Sequence, residues 1–116
     1  MQAFLVKIIF QIDIEDQTKG QFDVQYRCIH ALDGEAARTK AETIAKNDEE
    51  AFLNHEEKKV CWRFLGITAV HPLSTVLDGG SVFAETHEAE DTAAYLRHTA
   101  DHAVFAKAKY VSMEIA

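Results

Sequence analysis

The N-terminal segment alternates apolar with other side chains, and this alternation constrains the fold more than any other feature of the chain. The apolar series occupies every second position: Phe4, Val6, Ile8, Phe10, Ile12 and Ile14. The positions between them become polar toward the end of the segment. Because successive side chains of a strand point to opposite faces, this period predicts a strand over about Ala3–Ile14 with one wholly apolar face.

A second predicted strand follows a polar turn. Residues 15–20 are polar and end in Gly20, as is typical of turns. The next segment, from Gln21 to about Ala31, alternates again, and its apolar face comprises Phe22, Val24, Tyr26 and Cys28. Two strands joined by a short polar link predict an antiparallel hairpin. We expect the Cys28 thiol to be buried with its apolar neighbours.

The period then changes to that of a helix. Asp33 precedes the change and is a candidate N-cap, because its carboxylate can accept hydrogen bonds from the first helical turn. Small or aliphatic residues recur on one face: Ala36, Ala37, Ala41, Ile44 and Ala45. This spacing predicts a helix from about Gly34 to Lys46 that packs closely against the sheet.

The middle of the chain predicts a second hairpin. Phe52 and Val60 flank the polar residues Asn54–Glu57, which we expect to form its turn. Residues 58–70 predict either one bent strand or a pair of strands, with core candidates at Val60, Trp62 and Phe64. Gly66 interrupts this pattern and indicates a bulge or a close backbone approach.

The remaining segment carries weaker signals. His71-Pro72 is expected to end the strand, because proline lacks the N–H group that a ladder needs. Asp78-Gly79-Gly80 predicts a turn, followed by a short strand over Ser81–Glu85. From about Thr86 the sequence favours a helix, and residues 110–115 fit either a strand or a helix.

These elements predict an α+β fold. Its antiparallel sheet is built in strand-strand-helix-strand-strand order, with the first helix on one face and a C-terminal helical segment. A chain of 116 residues is one domain by length. We expect a single domain over residues 1–116, with a core at about 3–85 and a C-terminal helical extension at about 86–116.

Charge and cysteine content limit the expected partners. The formal net charge is −7, from 12 basic and 19 acidic residues. This disfavours nucleic acid and anionic membranes, because affinity for phosphates comes mainly from lysine and arginine. Cys28 and Cys61 form no C-x-x-C motif, and two free thiols fit the reducing cytoplasm. We therefore expect a cytoplasmic protein with no cofactor and with neither nucleic acid nor a membrane as a partner.

His98 and His102 have the spacing of metal ligands. On a helix they lie one turn apart and share a face, as in helical zinc sites. With Asp101 their order is similar to the His-x-x-Glu-His order of inverted zinc proteases, with aspartate in place of glutamate. A catalytic zinc needs a third protein ligand, and nothing positions the candidates within residues 85–88. We expect a solvent-exposed helical face there, and we assign no catalytic, cofactor-binding or metal-binding residue.

Two other sets of side chains have a functional and a structural interpretation. Asp13, Glu15 and Asp16 cluster near the end of the first strand, and Asp23 is expected across the hairpin from them. Paired carboxylates perform acid–base chemistry when burial separates their pKa values, but solvated charge is the usual state at a turn. Trp62 fits either a pocket wall or the core, and its alternation with Val60 and Phe64 favours the core.

Several of these segments resemble a known bacterial family, the domain of unknown function 4288. The segments that match it are Val6-Lys7-Ile8-Ile9-Phe10, Gln21-Phe22-Asp23 with Gln25, the helix after Asp33, Val60-x-Trp62-x-Phe64-x-Gly66-Ile67 and Leu77-Asp78-Gly79-Gly80. The resemblance covers about residues 4–85. Because the family has no assigned activity, the resemblance implies a layout of elements and no reaction.

Three functions fit these residues. The first is a non-catalytic protein-interaction module, for which an exposed strand edge also favours a homo-oligomer. The second is an acidic, immunity-type protein that neutralises a basic partner. The third is a metal-dependent hydrolase that uses His98 and His102. We expect the first, and more generally a protein that is not an enzyme.

Overall fold

The structure, a computed structural model, describes residues 1–74 and 78–115 of the chain. Its elements in chain order are β1 (Gln2–Ile14), β2 (Gln21–Ala31), α1 (Gly34–Asn47), β3 (Glu50–Leu53), β4 (Lys59–Pro72) and α2 (Thr92–Ile115). The chain divides into two compact units, Met1–Ala84 and Glu85–Ala116. The first unit contains the four strands and α1, and the second contains α2. The predicted α+β class is confirmed.

The four strands form one antiparallel sheet in the order β2-β1-β4-β3. Both predicted hairpins are present, β1 with β2 and β3 with β4, and Phe52 faces Val60 as expected. β1 lies in the interior of the sheet and pairs with β2 on one side and β4 on the other. The long alternating segment at the start of the chain is therefore the strand around which the sheet is built.

The core lies between α1 and one face of the sheet, and β1 is its largest contributor. Phe4, Val6, Ile8 and Phe10 are buried on one face of β1. They meet the alanine face of α1, where Ala37, Ala41 and Ala45 are fully buried. Alanine side chains allow the helix backbone to approach the sheet closely, so the large side chains of β1 fill the space between the two layers.

α1 begins and ends close to where the sequence predicts. The Asp33 carboxylate accepts a hydrogen bond of 2.8 Å from the backbone N–H of Ala36, which confirms its N-cap role. The helix ends at Asn47, where the Asp48 N–H donates to the carbonyls of Ile44 and Ala45. Local capping chemistry therefore sets both ends of the helix.

β4 is one strand with two register irregularities, and the alternative of a strand pair is wrong. The shifts lie opposite Lys7/Ile8 and Ile9/Phe10 of β1. Gly66 faces Ile9 beside the second shift, so the expected bulge is present. A Cβ atom at Gly66 would meet nothing within 4 Å, so the glycine does not serve a close backbone approach.

β4 ends at Pro72, as expected, although both His71 and Pro72 still belong to the strand. Pro72 faces Phe4, and the next residue, Leu73, donates its N–H to the Ala3 carbonyl at 2.9 Å. In an antiparallel ladder alternate residues direct their backbone groups to the same neighbour. The proline nitrogen therefore points away from β1, where no ladder bond is lost.

Three expectations for the C-terminal third are corrected or decided. Residues 81–85 form no strand, and the four described strands pair only with one another. The helix begins at Thr92 rather than near Thr86, because the Asp91 carboxylate caps it by accepting from the Ala94 N–H at 3.0 Å. Residues 110–115 are helical.

The turn predicted at Asp78-Gly79-Gly80 is consistent with the backbone of Gly79, which has a φ of 82°. Leu77, which precedes this turn, lies outside the described residues.

Phe10→Ala should destabilise the protein by about 3–5 kcal/mol, because the Phe10 side chain is only 1% exposed in the core. Phe105→Ala is the matched control, since the Phe105 side chain is 72% exposed. It should change the free energy of unfolding by about 0.5 kcal/mol or less. Urea denaturation measures both, and equal effects of the two substitutions would contradict this core.

Asp33→Ala should cost about 1 kcal/mol, because the Ala36 N–H would lose its acceptor at the start of α1. Asp33→Asn should restore most of the loss, since an asparagine side chain also caps helices. An unchanged urea midpoint in Asp33→Ala would remove this residue from the capping role.

Candidate interaction surface

The register between β1 and β2 determines which side chains each face of the sheet presents. The even-numbered apolar residues of β1 face odd-numbered residues of β2, for example Ile8 with Gln25 and Phe10 with Asp23. Paired residues in an antiparallel ladder lie on the same face of the sheet. The apolar series of β2 therefore lies on the face opposite α1, which we call the open face.

The open face carries an exposed apolar stripe. We define this stripe by its six residues on the two strands: Leu5, Ile9, Phe22, Val24, Tyr26 and Cys28. The β2 members are the most exposed, with Phe22 at 59%, Val24 at 47% and Tyr26 at 55%. Val24 faces Ile9 and Cys28 faces Leu5, so the stripe is contiguous across both strands. The face that the alternation of β2 predicts is real, but it is not part of the core.

Cys28 is exposed, so its expected burial is wrong. The expectation assumed that both strands direct their apolar series to the same side. The register places Cys28 opposite Leu5 instead, on the face that α1 does not cover. Cys61 is half-buried, and both cysteines are free thiols.

One cation, Lys7, lies between the two β1 members of the stripe, beside the continuous series on β2. Lys7 lies opposite Tyr26, and its Nζ atom is 5.7 Å from the centroid of the tyrosine ring. A lysine ammonium group at this distance is attracted by the negative face of the ring. The contact holds the long lysine side chain beside Tyr26 and leaves the aromatic ring itself half exposed.

β2 is also an edge of the sheet, and no other described strand pairs with its outer side. The Ala3 carbonyl accepts from Leu73 and the Glu15 N–H donates to Lys59, so odd-numbered residues of β1 bond toward β4. Even-numbered residues of β1 then bond toward β2, where they face odd-numbered residues. The backbone groups of the even-numbered residues in β2 consequently point to the free edge: Phe22, Val24, Tyr26 and Cys28.

The other face of β2 carries a polar row, which we define as Asp23, Gln25 and Arg27. Gln25 donates from Nε2 to the Asp23 carboxylate at 2.7 Å. Arg27 donates to Gln25 Oε1 from Nε at 3.0 Å and from Nη2 at 2.7 Å. The same Nη2 lies 2.7 Å from a carboxylate oxygen of Asp48, at the end of α1. The row thus ties the edge strand to the end of α1, in addition to the core contacts of Ile29 and Ala31 on the same strand.

A pocket of about 350 Å³ lies next to the polar row, at the end of α1. It is lined by Phe10, Gln25, Asn47, Asp48, Glu49, Glu50 and Trp62. Trp62 is half-buried and packs against Phe10 with the ring centroids 6.1 Å apart. Both interpretations of Trp62 therefore hold in part, because the side chain supports the core and also forms a pocket wall. The Glu49 carboxylate accepts from the Phe64 N–H at 3.1 Å.

The acidic cluster near the end of β1 does not form a paired-carboxylate site. Asp13 bonds to Arg63, and Asp16 lies 2.6 Å from the Lys58 ammonium group. Asp16 holds the pKa of Lys58 above its usual value through that hydrogen bond and through charge attraction. Asp23 is opposite Phe10, on the other face from Asp13.

The predicted histidine pair lies on α2. His98 and His102 are one turn apart with ring centroids separated by 4.0 Å. His87 Nε2 lies 3.1 Å from the Glu85 carboxylate. Within residues 1–74 and 78–110, no group of three or more histidine, cysteine, aspartate or glutamate side chains is arranged to hold a metal ion.

Comparison with known proteins identifies the family. A family model described as Domain of unknown function (DUF4288) matches residues 3–84. The chain belongs to this family. The DUF4288 match ends where the first compact unit ends, at Ala84, and it includes the open face, the β2 edge and the polar row. None of the curated proteins and none of the solved structures matches the chain.

Neither α1 nor the described part of α2 combines the length and the apolar character that crossing a membrane requires.

We predict that the DUF4288 protein, purified without a metal-affinity column, carries well below one metal ion per chain. Two histidines alone leave a zinc site incomplete, because even a catalytic site uses three protein ligands. Elemental analysis measures the metal, and a chelator should leave the melting temperature unchanged. A stoichiometric metal that is lost together with stability in His98→Ala would contradict this prediction and favour the hydrolase.

Proposed function

We propose that this chain is a protein-interaction module without catalytic activity, and that it binds its partner through the open face of the sheet. The observation that carries the proposal is the exposed apolar stripe. Large contiguous apolar patches are uncommon on monomeric proteins and mark sites of protein association. Aromatic residues such as Phe22 and Tyr26 are typical anchors of such interfaces.

The chemistry of the other candidate residues supports binding rather than catalysis. Acid–base catalysis uses carboxylates whose pKa values are separated by burial or by close like charges. The carboxylates of Asp13 and Asp16 instead border solvent, each beside its own basic partner. The two free thiols support a cytoplasmic location, where reducing conditions preserve them.

A second candidate function, neutralisation of a basic protein, has one specific observation in its favour. The pocket at the end of α1 combines the Trp62 ring with the carboxylates of Asp48, Glu49 and Glu50. An aromatic wall and nearby negative charge attract a lysine or arginine side chain. The net charge of −7 would add long-range attraction to a basic partner.

The proposal predicts that replacing the centre of the stripe weakens partner binding. Val24→Thr combined with Tyr26→Thr removes two apolar side chains and keeps residues that favour strands. The matched control is Leu32→Thr, since Leu32 is 80% exposed but follows β2 and lies outside the stripe. A partner captured by the tagged wild-type chain should then be purified and titrated against all three proteins.

We expect the double variant to bind at least about tenfold more weakly, which corresponds to about 1.4 kcal/mol, and the control to bind like wild type. Circular dichroism should show the same fold in all three. Equal affinity of the double variant and wild type would contradict the open face as the binding surface. Binding that instead fails in Glu50→Lys and weakens steeply with salt would favour the basic-partner alternative.

A further inference from the structure

We propose that one partner of β2 is the β2 strand of a second copy of this chain. The two strands pair antiparallel about a two-fold axis at Gln25 and join the two sheets into one. This inference deepens the proposed function and rests on it in one respect, that the chain acts by binding protein.

The free edge of β2 has the backbone pattern that this pairing needs. The N–H and C=O groups of Phe22, Val24, Tyr26 and Cys28 point away from β1. With the axis at Gln25, Val24 faces Tyr26 of the partner subunit and Phe22 faces Cys28 of the partner subunit. Each of these pairs joins two residues with outward-pointing groups, so they exchange ladder hydrogen bonds. A two-fold interface uses the same surface twice, so every such pair occurs twice.

The polar row is self-complementary in charge on this axis. Asp23 and Arg27 are equally distant in sequence from Gln25 and carry opposite charges. Antiparallel pairing therefore places Asp23 opposite Arg27 of the partner subunit, and the reverse. These are non-hydrogen-bonded pairs, in which the Cα atoms lie about 4.5 Å apart and the side chains are closest. Opposite charges directly across such a pair stabilise it.

Other symmetric registers lack this complementarity. An axis at Tyr26 would place Asp23 opposite Ile29 of the partner subunit, and an axis at Val24 would place it opposite Gln25 of the partner subunit. Neither arrangement pairs opposite charges. The backbone pattern permits an axis at any of these residues, so the charges select Gln25.

The groups needed across the axis are available within each chain. Arg27 uses Nε and Nη2 for its contacts with Gln25 and Asp48, and Nη1 takes no part in those three contacts. Asp23 accepts from Gln25 through Oδ2, which leaves Oδ1 outside that bond. An arginine guanidinium has five N–H donors, so an added carboxylate does not displace the existing partners.

On the open face the same register extends the apolar stripe across the axis. Val24 lies beside Tyr26 of the partner subunit and Phe22 beside Cys28 of the partner subunit, each pair twice. Aromatic and β-branched cross-strand pairs are favourable contacts in antiparallel sheets. The pairing also covers an edge that would otherwise be open to uncontrolled association.

Charge exchange tests the pairing and its register together. Analytical ultracentrifugation of the full chain should show a dimer, and Asp23→Arg and Arg27→Asp should each weaken it at least tenfold. Asp23→Arg combined with Arg27→Asp restores opposite charges across the axis and should restore the dimer. An equimolar mixture of the two single variants should form a heterodimer. Glu56→Arg, in the exposed β3–β4 turn, makes the same change of charge as Asp23→Arg and should leave the dimer unaffected.

Disulfide cross-linking keeps the proposal testable if Arg27→Asp fails to fold. In a Cys28→Ser, Cys61→Ser background, Gln25→Cys places two thiols on the axis, within the Cα separation of about 4.4–6.8 Å that a disulfide allows. Val24→Cys and Tyr26→Cys are matched controls, because equivalent thiols would then be diagonal, about 7–8 Å apart. Gln25→Cys should therefore form covalent dimers fastest.

Three outcomes would overturn the proposal. The wild-type chain could remain monomeric at concentrations above micromolar, Tyr26→Cys or Val24→Cys could cross-link fastest, or the charge variants could dimerise like wild type. The wild-type chain could be monomeric and still bind a different protein that does not bind the Val24→Thr, Tyr26→Thr variant. This combination would contradict the homodimer and leave the proposed function standing. A dimer that binds no other protein at the open face would contradict the proposed function and leave the homodimer standing.

Discussion

The pairing register of β1 with β2 is the constraint on which the rest of this structure depends. Side chains alternate between the faces of a sheet, so a shift of one residue would exchange the two faces of β2 completely. The observed register places Ile8 opposite Gln25 and Ile9 opposite Val24. As a result, the apolar series of the two strands point in opposite directions, one into the core and one away from α1.

Both surfaces of β2 follow from that register. On the helix side, β2 contributes Ile29 and Ala31 to the core formed by the large β1 residues and the alanines of α1, and it also presents a polar row that bonds to Asp48. On the other side, the strand presents Phe22, Val24 and Tyr26 half exposed beside an unpaired backbone edge. The strand is thus anchored on one face by its polar row and by the buried Ile29 and Ala31, and it remains available for association on the other face and along its edge. This division of roles is the physical basis of the proposed function.

The sequence predicts the parts of this fold that local chemistry controls. The N-cap at Asp33, the alanine face of α1 and the turns of the two hairpins each depend on residues close together in the chain. The same holds for the bulge beside Gly66. The start of α2 was missed because Asp91, rather than a residue near Thr86, provides the capping carboxylate. The inclusion of Pro72 in β4 depends on which way its nitrogen points, which only the pairing with β1 determines.

The candidate surface could be predicted only in part. The alternation of β2 identifies Phe22, Val24 and Tyr26 as one face, but it does not say whether that face is buried. Burial depends on register, and register depends on turn geometry and on the packing of β1. The polar row has the same period of two at Asp23, Gln25 and Arg27, so the signal for it was present in the sequence. The role of the row follows only from the structure, which places it beside Asp48 and on an edge strand of the sheet.

Nuclear Overhauser effects between the Hα atoms of β1 and β2 test the register most directly, because such contacts are strong between non-hydrogen-bonded pairs of an antiparallel ladder. The observed register predicts Hα–Hα contacts between Ile9 and Val24 and between Lys7 and Tyr26, which are opposite each other in the structure. Contacts of the Val24 Hα with Ile8 or Phe10 would contradict it. They would place the apolar series of β2 on the core side of the sheet and remove the open face as a binding surface.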